Sequence, residues 1–328
     1  MDINLLKQTA QAMVVGKKGI LAADESTKTI QKRLEKIGLE SNPQINLAYR
    51  QMLFTTPGIE EYISGVILFD ETIRQEIDGK SMSEYLSSRG ILPGIKVDKG
   101  AVDMEGHPGE KITEGLEGLD GRMKEYEKKG AKFAKWRAVI TIGQGIPTDD
   151  CIAENAKRLA EYAYICQQNN IVPIVEPEVL MDADNTLEVC REVTSRTLKA
   201  VFEKLKEKGV VLEGIILKPN MVISGKNCPV QASGEEVAQV TVETLKDTVP
   251  AEVPGIVFLS GGQSPDQATE NLALINQIPG SPWKLSFSYG RALQDEALTV
   301  WSGKEENVEA AQKAFIERAK KVSSPRAS

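Results

Sequence analysis

The stretch Gly214-Ile215-Ile216-Leu217-Lys218-Pro219-Asn220 contains a pattern that recurs along the whole chain. A short apolar run that opens at glycine and ends before proline is typical of a buried β-strand. This strand would end at Lys218, and an ammonium group is costly to keep charged in a low-dielectric environment. A lysine in that position can therefore serve as a nucleophile that forms a Schiff base. The alternative is a lysine that simply extends from the strand end into water.

Runs of this kind occur eight times, and segments with helical periodicity separate them. The predicted strands are Gly19–Ala23, Gly65–Phe69, Gly94–Val97, Ala134–Thr141, Val172–Val175, Gly214–Leu217, Gly255–Leu259 and Leu285–Tyr289. The clearest helical segments are Ile152–Asn169, Asn185–Lys208, Ser233–Thr248 and Ser264–Ile278. Because alternating strands and helices form parallel sheets, we predict an α/β fold, a closed (β/α)8 TIM barrel. It would form a single catalytic domain over residues 1–328. An open doubly wound sheet is the weaker alternative, since no GxGxxG turn follows the first strand.

Composition excludes several classes of protein. The chain has 328 residues, of which 41% are hydrophobic and 27% charged, as in ordinary globular proteins. Its net charge of -7 argues against a general nucleic-acid or membrane-surface binder. No apolar run is long enough to span a bilayer, and the first residues lack the features of a signal peptide. The four cysteines have no CxxC spacing, so we expect reduced thiols in a cytoplasmic protein.

The histidine count restricts the chemistry further. The single histidine, His107, lies in a polar Gly/Pro segment, and we expect it to be an exposed loop residue. A zinc site built on several histidines is therefore impossible, and a Ser-His or Cys-His pair would have to use His107. If the chain is an enzyme, lysines and carboxylates must therefore transfer the protons.

Polar residues follow the predicted strands at the ends where TIM barrels place their catalytic groups. These residues are Asp24, Glu25 and Ser26; Lys96 and Asp98; Lys135 and Arg137; Glu176 and Glu178; Lys218; Ser260, Gly261 and Gly262; and Ser288, Gly290 and Arg291. Residues two apart on a strand share a face, so Lys135 and Arg137 should point together, as should Glu176 and Glu178. Any one of these groups taken alone is as readily explained by a structural ion pair.

The charges of these residues indicate the substrate. Five cations converge in an otherwise acidic protein, which favours an anionic ligand. Glycine turns and an arginine after the seventh and eighth strands are suited to phosphate. Lys135 could face Lys218 across the barrel mouth, with Glu176 on the strand between them within reach of both. A lysine nucleophile, a carboxylate base and phosphate-binding groups together point to carbon–carbon chemistry on a phosphorylated carbonyl compound.

Longer motifs then resemble the class I fructose-bisphosphate aldolases of animals and plants, from about residue 10 to about residue 320. The matching runs are residues 19–27, 94–100, 134–137, 175–178, 217–221, 259–264 and 287–293. The resemblance implies that Lys218 forms a Schiff base with the C2 ketone of fructose 1,6-bisphosphate, and that Glu176 is the general acid and base. It implies that Asp24 holds the C4 hydroxyl, that Lys135 assists both steps, and that Glu178 tunes the lysines. The products would be dihydroxyacetone phosphate and glyceraldehyde 3-phosphate, and no metal or cofactor would be needed, because the iminium acts as the electron sink.

The resemblance also implies where the sugar phosphate binds. Ser260, Gly261, Gly262, Gly290 and Arg291 match the C1-phosphate site, with Ser288 at the same strand end; Ser26, Thr29 and Lys96 match the C6-phosphate side, and Arg33 and Arg137 match substrate-contacting arginines. It further implies a cytoplasmic homotetramer that acts in glycolysis and gluconeogenesis. The main alternatives are another Schiff-base barrel, such as a transaldolase or deoxyribose-phosphate aldolase, and a binding scaffold that has lost catalysis.

Three departures from the family pattern concern detail. Lys28 stands where glycine is expected, and Asn46-Leu47 stands where an arginine is usual. Animal members end in a tyrosine on a mobile tail, whereas the last tyrosine here is Tyr289. We expect these differences to affect phosphate binding, substrate preference and the group that protonates the enamine, without changing the reaction.

Overall fold

Eight parallel strands close into a barrel in this computed structural model, which describes residues 1–324. The strands are β1 Gly19–Ala23, β2 Ile63–Leu68, β3 Leu92–Lys96, β4 Phe133–Ile140, β5 Val172–Val179, β6 Ile216–Leu217, β7 Gly255–Phe258 and β8 Lys284–Tyr289. Each strand pairs with its neighbours in sequence, and β1 also pairs with β8, so the ring is complete. The predicted (β/α)8 TIM barrel is confirmed.

Helices follow the strands and surround the barrel. They are α1 Ile3–Met13, α2 Thr27–Glu35, α3 Pro43–Phe54, α4 Asp70–Ile73, α5 Met82–Ser88, α6 Leu119–Lys128, α7 Asp149–Gln168, α8 Leu187–Lys208, α9 Gly234–Thr248, α10 Pro265–Gln277, α11 Arg291–Trp301 and α12 Val308–Ser323. Short 3-10 turns cover Ile59–Glu61, Leu212–Gly214 and Glu305–Asn307. Within residues 1–324, none of the helices is both long enough and apolar enough to cross a lipid bilayer.

The structure differs from the predicted elements mainly in two strands and two hairpins. β5 continues to Val179, because its pairing with β4 extends to Ile140. β6 is reduced to Ile216–Leu217, because Gly214 belongs to the 3-10 turn Leu212–Gly214 that precedes the strand. The expected long loop after β3 contains an antiparallel hairpin, Gly100–Asp103 with Lys111–Glu114, and a shorter hairpin pairs Glu76–Ile77 with Lys80–Ser81.

His107 lies beside the longer of these hairpins and is half-buried rather than exposed. Its Nδ1 is 3.4 Å from Glu110 Oε2, a carboxylate that also accepts hydrogen bonds from Thr148. The expectation of an exposed loop residue was therefore wrong, because the hairpin packs its turn against the start of α7.

Alternation along the strands fills the barrel interior with apolar side chains. Ile20, Phe133, Ile174, Ile216 and Val257 belong to one buried cluster that α1 closes from below. Positions two residues further along a strand point to the same side. The same alternation that buries Phe133, Ile174 and Ile216 therefore directs the side chains at 135, 176 and 218 into the barrel mouth.

Phe133 fits inside the barrel because the neighbouring strands carry glycine beside it. A Cβ atom at Gly94 would overlap the Phe133 ring, and one at Gly65 would press against it. The Phe133 ring fills the volume that side chains at Gly65 on β2 and Gly94 on β3 would otherwise occupy. The interior is thus packed by one large residue against two small ones.

We expect Gly94→Ala to lower the free energy of unfolding by about 1–3 kcal/mol, the usual effect of overpacking a filled core. Urea unfolding followed by tryptophan fluorescence measures it. Gly121→Ala is the matched control, because a Cβ there meets no atom within 4 Å and the residue lies in α6. That control should be neutral or slightly stabilising. Equal stability of Gly94→Ala and the unaltered protein would contradict this account of the packing.

Candidate active site

A cleft of about 470 Å3 opens at the carboxyl ends of the barrel strands. Its lining residues are Asp24, Thr29, Lys32, Arg33, Lys36, Lys135, Arg137, Glu176, Glu178, Lys218, Leu259, Ser260, Gly261, Ser288, Gly290 and Arg291. They come from β4, β5 and β8, from the segments that follow β1, β6, β7 and β8, and from helices α2 and α11. The cleft therefore collects the polar strand ends that the sequence places far apart.

Four charged side chains form a continuous chain at the floor of this cleft. Lys218 Nζ lies 3.0 Å from Glu176 Oε1, and Glu176 Oε2 lies 3.6 Å from Lys135 Nζ. Lys135 Nζ in turn lies 2.6 Å from Asp24 Oδ2. The Lys218 side chain is only 5% exposed and that of Glu176 only 4%. Lys218 therefore does not extend into water, and Glu176 stands between the two lysines as predicted.

Opposite charges balance the cost of burying these groups. Burial opposes ionisation of Asp24, but the ammonium groups of Lys135 and Lys218 outweigh it and lower the pKa of Asp24 from 3.8 to about 2. Burial also opposes the charge on Lys135, whereas Asp24, Glu176 and Asp98 raise its pKa above the ordinary value. At neutral pH the site thus contains a buried carboxylate paired with a buried cation.

A second ion pair borders the floor. Glu178 is buried, and its Oε2 accepts a hydrogen bond from Arg137 Nε. Burial lowers the pKa of Arg137, but Glu178 more than compensates, so the pKa is raised overall. The two i, i+2 pairs, Lys135 with Arg137 and Glu176 with Glu178, face the cleft together, as their strand spacing predicts.

The rim of the cleft is basic. Lys32, Arg33 and Lys36 come from α2 and its C-terminal end, and Arg291 is the first residue of α11. In all, seven basic side chains and three carboxylates line the cleft, in a chain whose net charge is -7. Such an excess of local positive charge attracts anionic ligands.

Three predicted site residues lie outside the lining of this cleft. Ser26 and Lys96 border a neighbouring cavity of about 420 Å3. Lys96 Nζ bonds to Asp98 Oδ1 at 2.6 Å, and Asp98 Oδ2 is 3.9 Å from Lys135, so Asp98 connects the two cavities. Gly262 faces Met181, and a side chain there would clash with it. The substrate roles of these three residues stay predictions.

Sequence reasoning missed several residues of the site. Lys32 and Lys36 were not identified, although Thr29, Arg33 and Lys36 have the i, i+4, i+7 spacing of one helix face. Buried Asp98 was seen at its strand end but was given no role. Within residues 1–324, no three histidine, cysteine, aspartate or glutamate side chains are grouped as metal ligands would be.

Comparison with known proteins identifies the family. The model of the family described as fructose-bisphosphate aldolase class-I matches residues 5–327. The chain belongs to the class I fructose-bisphosphate aldolase family. This aldolase is 56% identical to a probable fructose-bisphosphate aldolase class 1 from Xanthomonas campestris pv. campestris, and the match covers 98% of this chain and 96% of the relative.

Two further relatives extend the comparison of the aldolase beyond bacteria. Cytosolic fructose-bisphosphate aldolase 4 of Arabidopsis thaliana is 54% identical over 92% of this chain and 78% of the relative. A solved structure of fructose-bisphosphate aldolase from Plasmodium falciparum, in complex with TRAP and a small molecule inhibitor, matches with a TM-score of 0.96 at 50% identity. That match covers 98% of this chain and 94% of the other.

The paired Asp24 carboxylate should make the stability of the aldolase depend on pH. Because its pKa in the folded protein lies below the unfolded value of 3.8, the carboxylate stabilises the native state above about pH 4. This stabilisation is lost as the pH falls from about 4 toward 2. We expect Asp24→Asn to lower the free energy of unfolding by about 2 kcal/mol at pH 7, a difference that stays constant down to about pH 5 and then shrinks.

Urea unfolding of both proteins at a series of pH values measures this difference. Asp247→Asn is the control, because Asp247 is largely exposed and its contact with Arg191 Nη2 is long, at 3.8 Å. It should show little difference at any pH. A difference for Asp24→Asn that grows as the pH falls would mean that the carboxylate is not stabilised by its ion pair.

Proposed function

We propose that this chain reversibly cleaves fructose 1,6-bisphosphate to dihydroxyacetone phosphate and glyceraldehyde 3-phosphate through a Schiff base on Lys218, a step shared by glycolysis and gluconeogenesis. The observation that carries the proposal is the 3.0 Å contact between Lys218 Nζ and Glu176 Oε1 on the floor of a basic cleft. A nucleophile within hydrogen-bond reach of a base is the arrangement that amine catalysis requires.

The first half of the reaction forms the covalent intermediate. Glu176 accepts a proton from the ammonium of Lys218, and the neutral amine attacks the C2 ketone to give a carbinolamine. Protonated Glu176 then returns its proton to the departing hydroxyl, which leaves as water, and an iminium remains. The buried ion pair of Lys135 with Asp24 supports this step, because it keeps a fixed cation close to the developing oxygen charge.

The second half breaks the C3–C4 bond. Glu176 takes the proton of the C4 hydroxyl while Asp24 holds that hydroxyl, and glyceraldehyde 3-phosphate leaves. The electrons of the broken bond pass into the iminium and give an enamine. Protonation at C3 and hydrolysis then release dihydroxyacetone phosphate and free Lys218. Because the iminium is the electron sink, this scheme uses no metal or cofactor.

The shape of the cleft supports a substrate with two phosphates. Ser260, Gly261, Gly290 and Arg291 lie at one end, where backbone N–H groups and a guanidinium suit a C1-phosphate. Thr29 belongs to α2, whose start is near the cavity that contains Ser26 and Lys96, the proposed C6-phosphate side. Ser288 Oγ and Glu176 Oε2 are buried without a hydrogen-bond partner among the described residues, so groups of the substrate can satisfy them.

We further propose that the chain acts as one catalytic domain over residues 1–328, in a cytoplasmic homotetramer. The four buried free cysteines suit a reducing compartment, and a plant relative is named cytosolic. Sedimentation equilibrium should give a mass of about four 35.9 kDa chains. A monomeric mass at micromolar concentration would contradict the tetramer and leave the reaction unaffected.

Borohydride trapping tests the Schiff base directly. With dihydroxyacetone phosphate bound, hydride adds to C2 of the iminium and leaves a stable secondary amine. We expect peptide mass spectrometry to find this adduct on Lys218 and on no other lysine. Lys218→Arg should lose the label, whereas Lys284→Arg should keep it, because Lys284 is an exposed lysine at the start of β8, at the opposite end of the barrel. A label on another lysine, or an undiminished label in Lys218→Arg, would overturn the mechanism.

The same assay tests the proton carrier. Glu176→Gln should slow formation of the trapped adduct by roughly 10²- to 10⁴-fold, the usual contribution of general acid–base catalysis. Glu110→Gln is the matched control, since Glu110 is an equally buried carboxylate that bonds Thr148 away from the cleft. The Glu110→Gln variant should form the trapped adduct at nearly the same rate as the unaltered protein. If the Glu176→Gln variant forms the adduct as fast as the unaltered protein, another group must carry out the proton transfers.

A further inference from the structure

Gln294 is a fully buried amide that the reaction proposed above does not use. It lies on α11, three residues after Arg291, and is 0% exposed. Burying an amide is unfavourable unless its donor and acceptor groups are satisfied. Its contacts therefore indicate why a polar residue occupies this position.

Three hydrogen bonds join Gln294 to three other elements. Its Nε2 donates to the Ala22 carbonyl on β1 at 2.6 Å. Its Oε1 accepts from the Tyr49 hydroxyl on α3 at 2.8 Å and from Arg33 Nη1 on α2 at 2.9 Å. These partners fix the orientation of the amide, because a carbonyl only accepts and a guanidinium only donates. Burial, with Glu25, raises the pKa of Tyr49, so the phenol keeps the proton that it donates.

Arg33 is held from one side and open on the other. Its Nη1 atom donates to both Gln294 and Glu25. Its Nη2 atom lies close to Gly290, where a Cβ would come within 3.3 Å of it. The guanidinium therefore presents one edge to the protein and the other to the cleft, beside the glycine that precedes Arg291.

The acceptors that hold Arg33 are themselves fixed. Glu25 is buried, and Arg50 donates to its backbone carbonyl at 3.0 Å. Arg50 is also buried and pairs with Glu71 at 3.2 Å. Glu25 holds Arg33 through an ion pair. Gln294 connects Arg33 to the Ala22 carbonyl on β1, two residues before Asp24, and to the helix that begins with Arg291.

We propose that Gln294 is a positioning residue that fixes the Arg33 guanidinium relative to β1 and α11. Arg33 and Arg291 can then donate hydrogen bonds together to one anionic group of the substrate. This inference rests on the proposed function, which makes Arg33 a substrate contact. Gln294 itself does not line the cleft. Preorganised donors bind an anion more tightly than mobile ones, because less side-chain freedom is lost on binding.

Steady-state kinetics with fructose 1,6-bisphosphate tests the proposal. Gln294→Met keeps the length of the side chain and removes both its donor and its acceptor. We expect KM to rise about tenfold, the effect of losing one hydrogen bond to a charged group, while kcat changes by less than about threefold. Borohydride trapping on Lys218 should persist at saturating dihydroxyacetone phosphate, because the floor of the cleft is untouched.

Gln167→Met is the matched control. Gln167 is also a buried glutamine with three hydrogen bonds, to Val211 and Gly214, at the opposite side of the barrel. It should lose thermal stability to a similar degree, with KM unchanged. A rise in KM in both variants would show that general loosening of the structure, and not the position of Arg33, changes KM.

A double-mutant cycle with Arg33→Ala decides whether Gln294 acts through Arg33. If it does, the KM of the double variant exceeds that of Arg33→Ala by no more than about twofold. Full additivity, or an unchanged KM in Gln294→Met alone, overturns the inference and leaves the proposed function intact. An unchanged KM in Arg33→Ala overturns both the substrate role of Arg33 and the inference. Should Gln294→Met fail to fold, Gln294→Asn, which keeps the amide but is one methylene shorter than the span to Arg33 and Ala22, must show the same non-additivity.

Discussion

The structure depends on the pairing of buried charges at the barrel mouth. Lys218, Glu176, Lys135 and Asp24 are each nearly or fully removed from water, and each faces an opposite charge within 3.6 Å. A single buried ion would be prohibitively unfavourable, and removing one partner would leave the other uncompensated. The four groups therefore have to be present together. The same arrangement places a proton acceptor beside a primary amine, which is what the chemistry needs.

The barrel makes this pairing possible by geometry. Strand alternation points residues 133, 135 and 137 to one side, and the apolar lower positions pack against each other and against α1. Short strands held by neighbours on both sides leave little freedom to the side chains at their ends. The rigid apolar layers thus fix the positions of charged groups that would otherwise relax toward water.

In the proposed function, a second set of elements around this floor binds the substrate. The segments after β7 and β8 supply glycine turns and Arg291, while α2 and its C-terminal end supply Lys32, Arg33 and Lys36. These elements are joined below the surface by Gln294 and Glu25, which contact residues from β1 to α11. Substrate recognition is in this way connected to the frame that carries the catalytic residues.

The sequence by itself determined the barrel, the polar residues that follow its strands, and the position of Lys218 at the end of one strand. These features depend on local patterns: apolar runs of strand length, helical periodicity between them, and polar residues at i and i+2. Local pattern also predicted that Glu176 lies between Lys135 and Lys218, because strand order in a closed parallel barrel follows the chain. Only the tertiary structure decided that Asp24 pairs with Lys135, that Lys96 turns toward Asp98 in a neighbouring cavity, and that Gln294 holds Arg33. The contacts of Asp24 with Lys135 and of Gln294 with Arg33 join residues far apart in the chain, whose spacing contains no period. All three contacts depend on side-chain reach and burial that exist only once the ring of strands has closed.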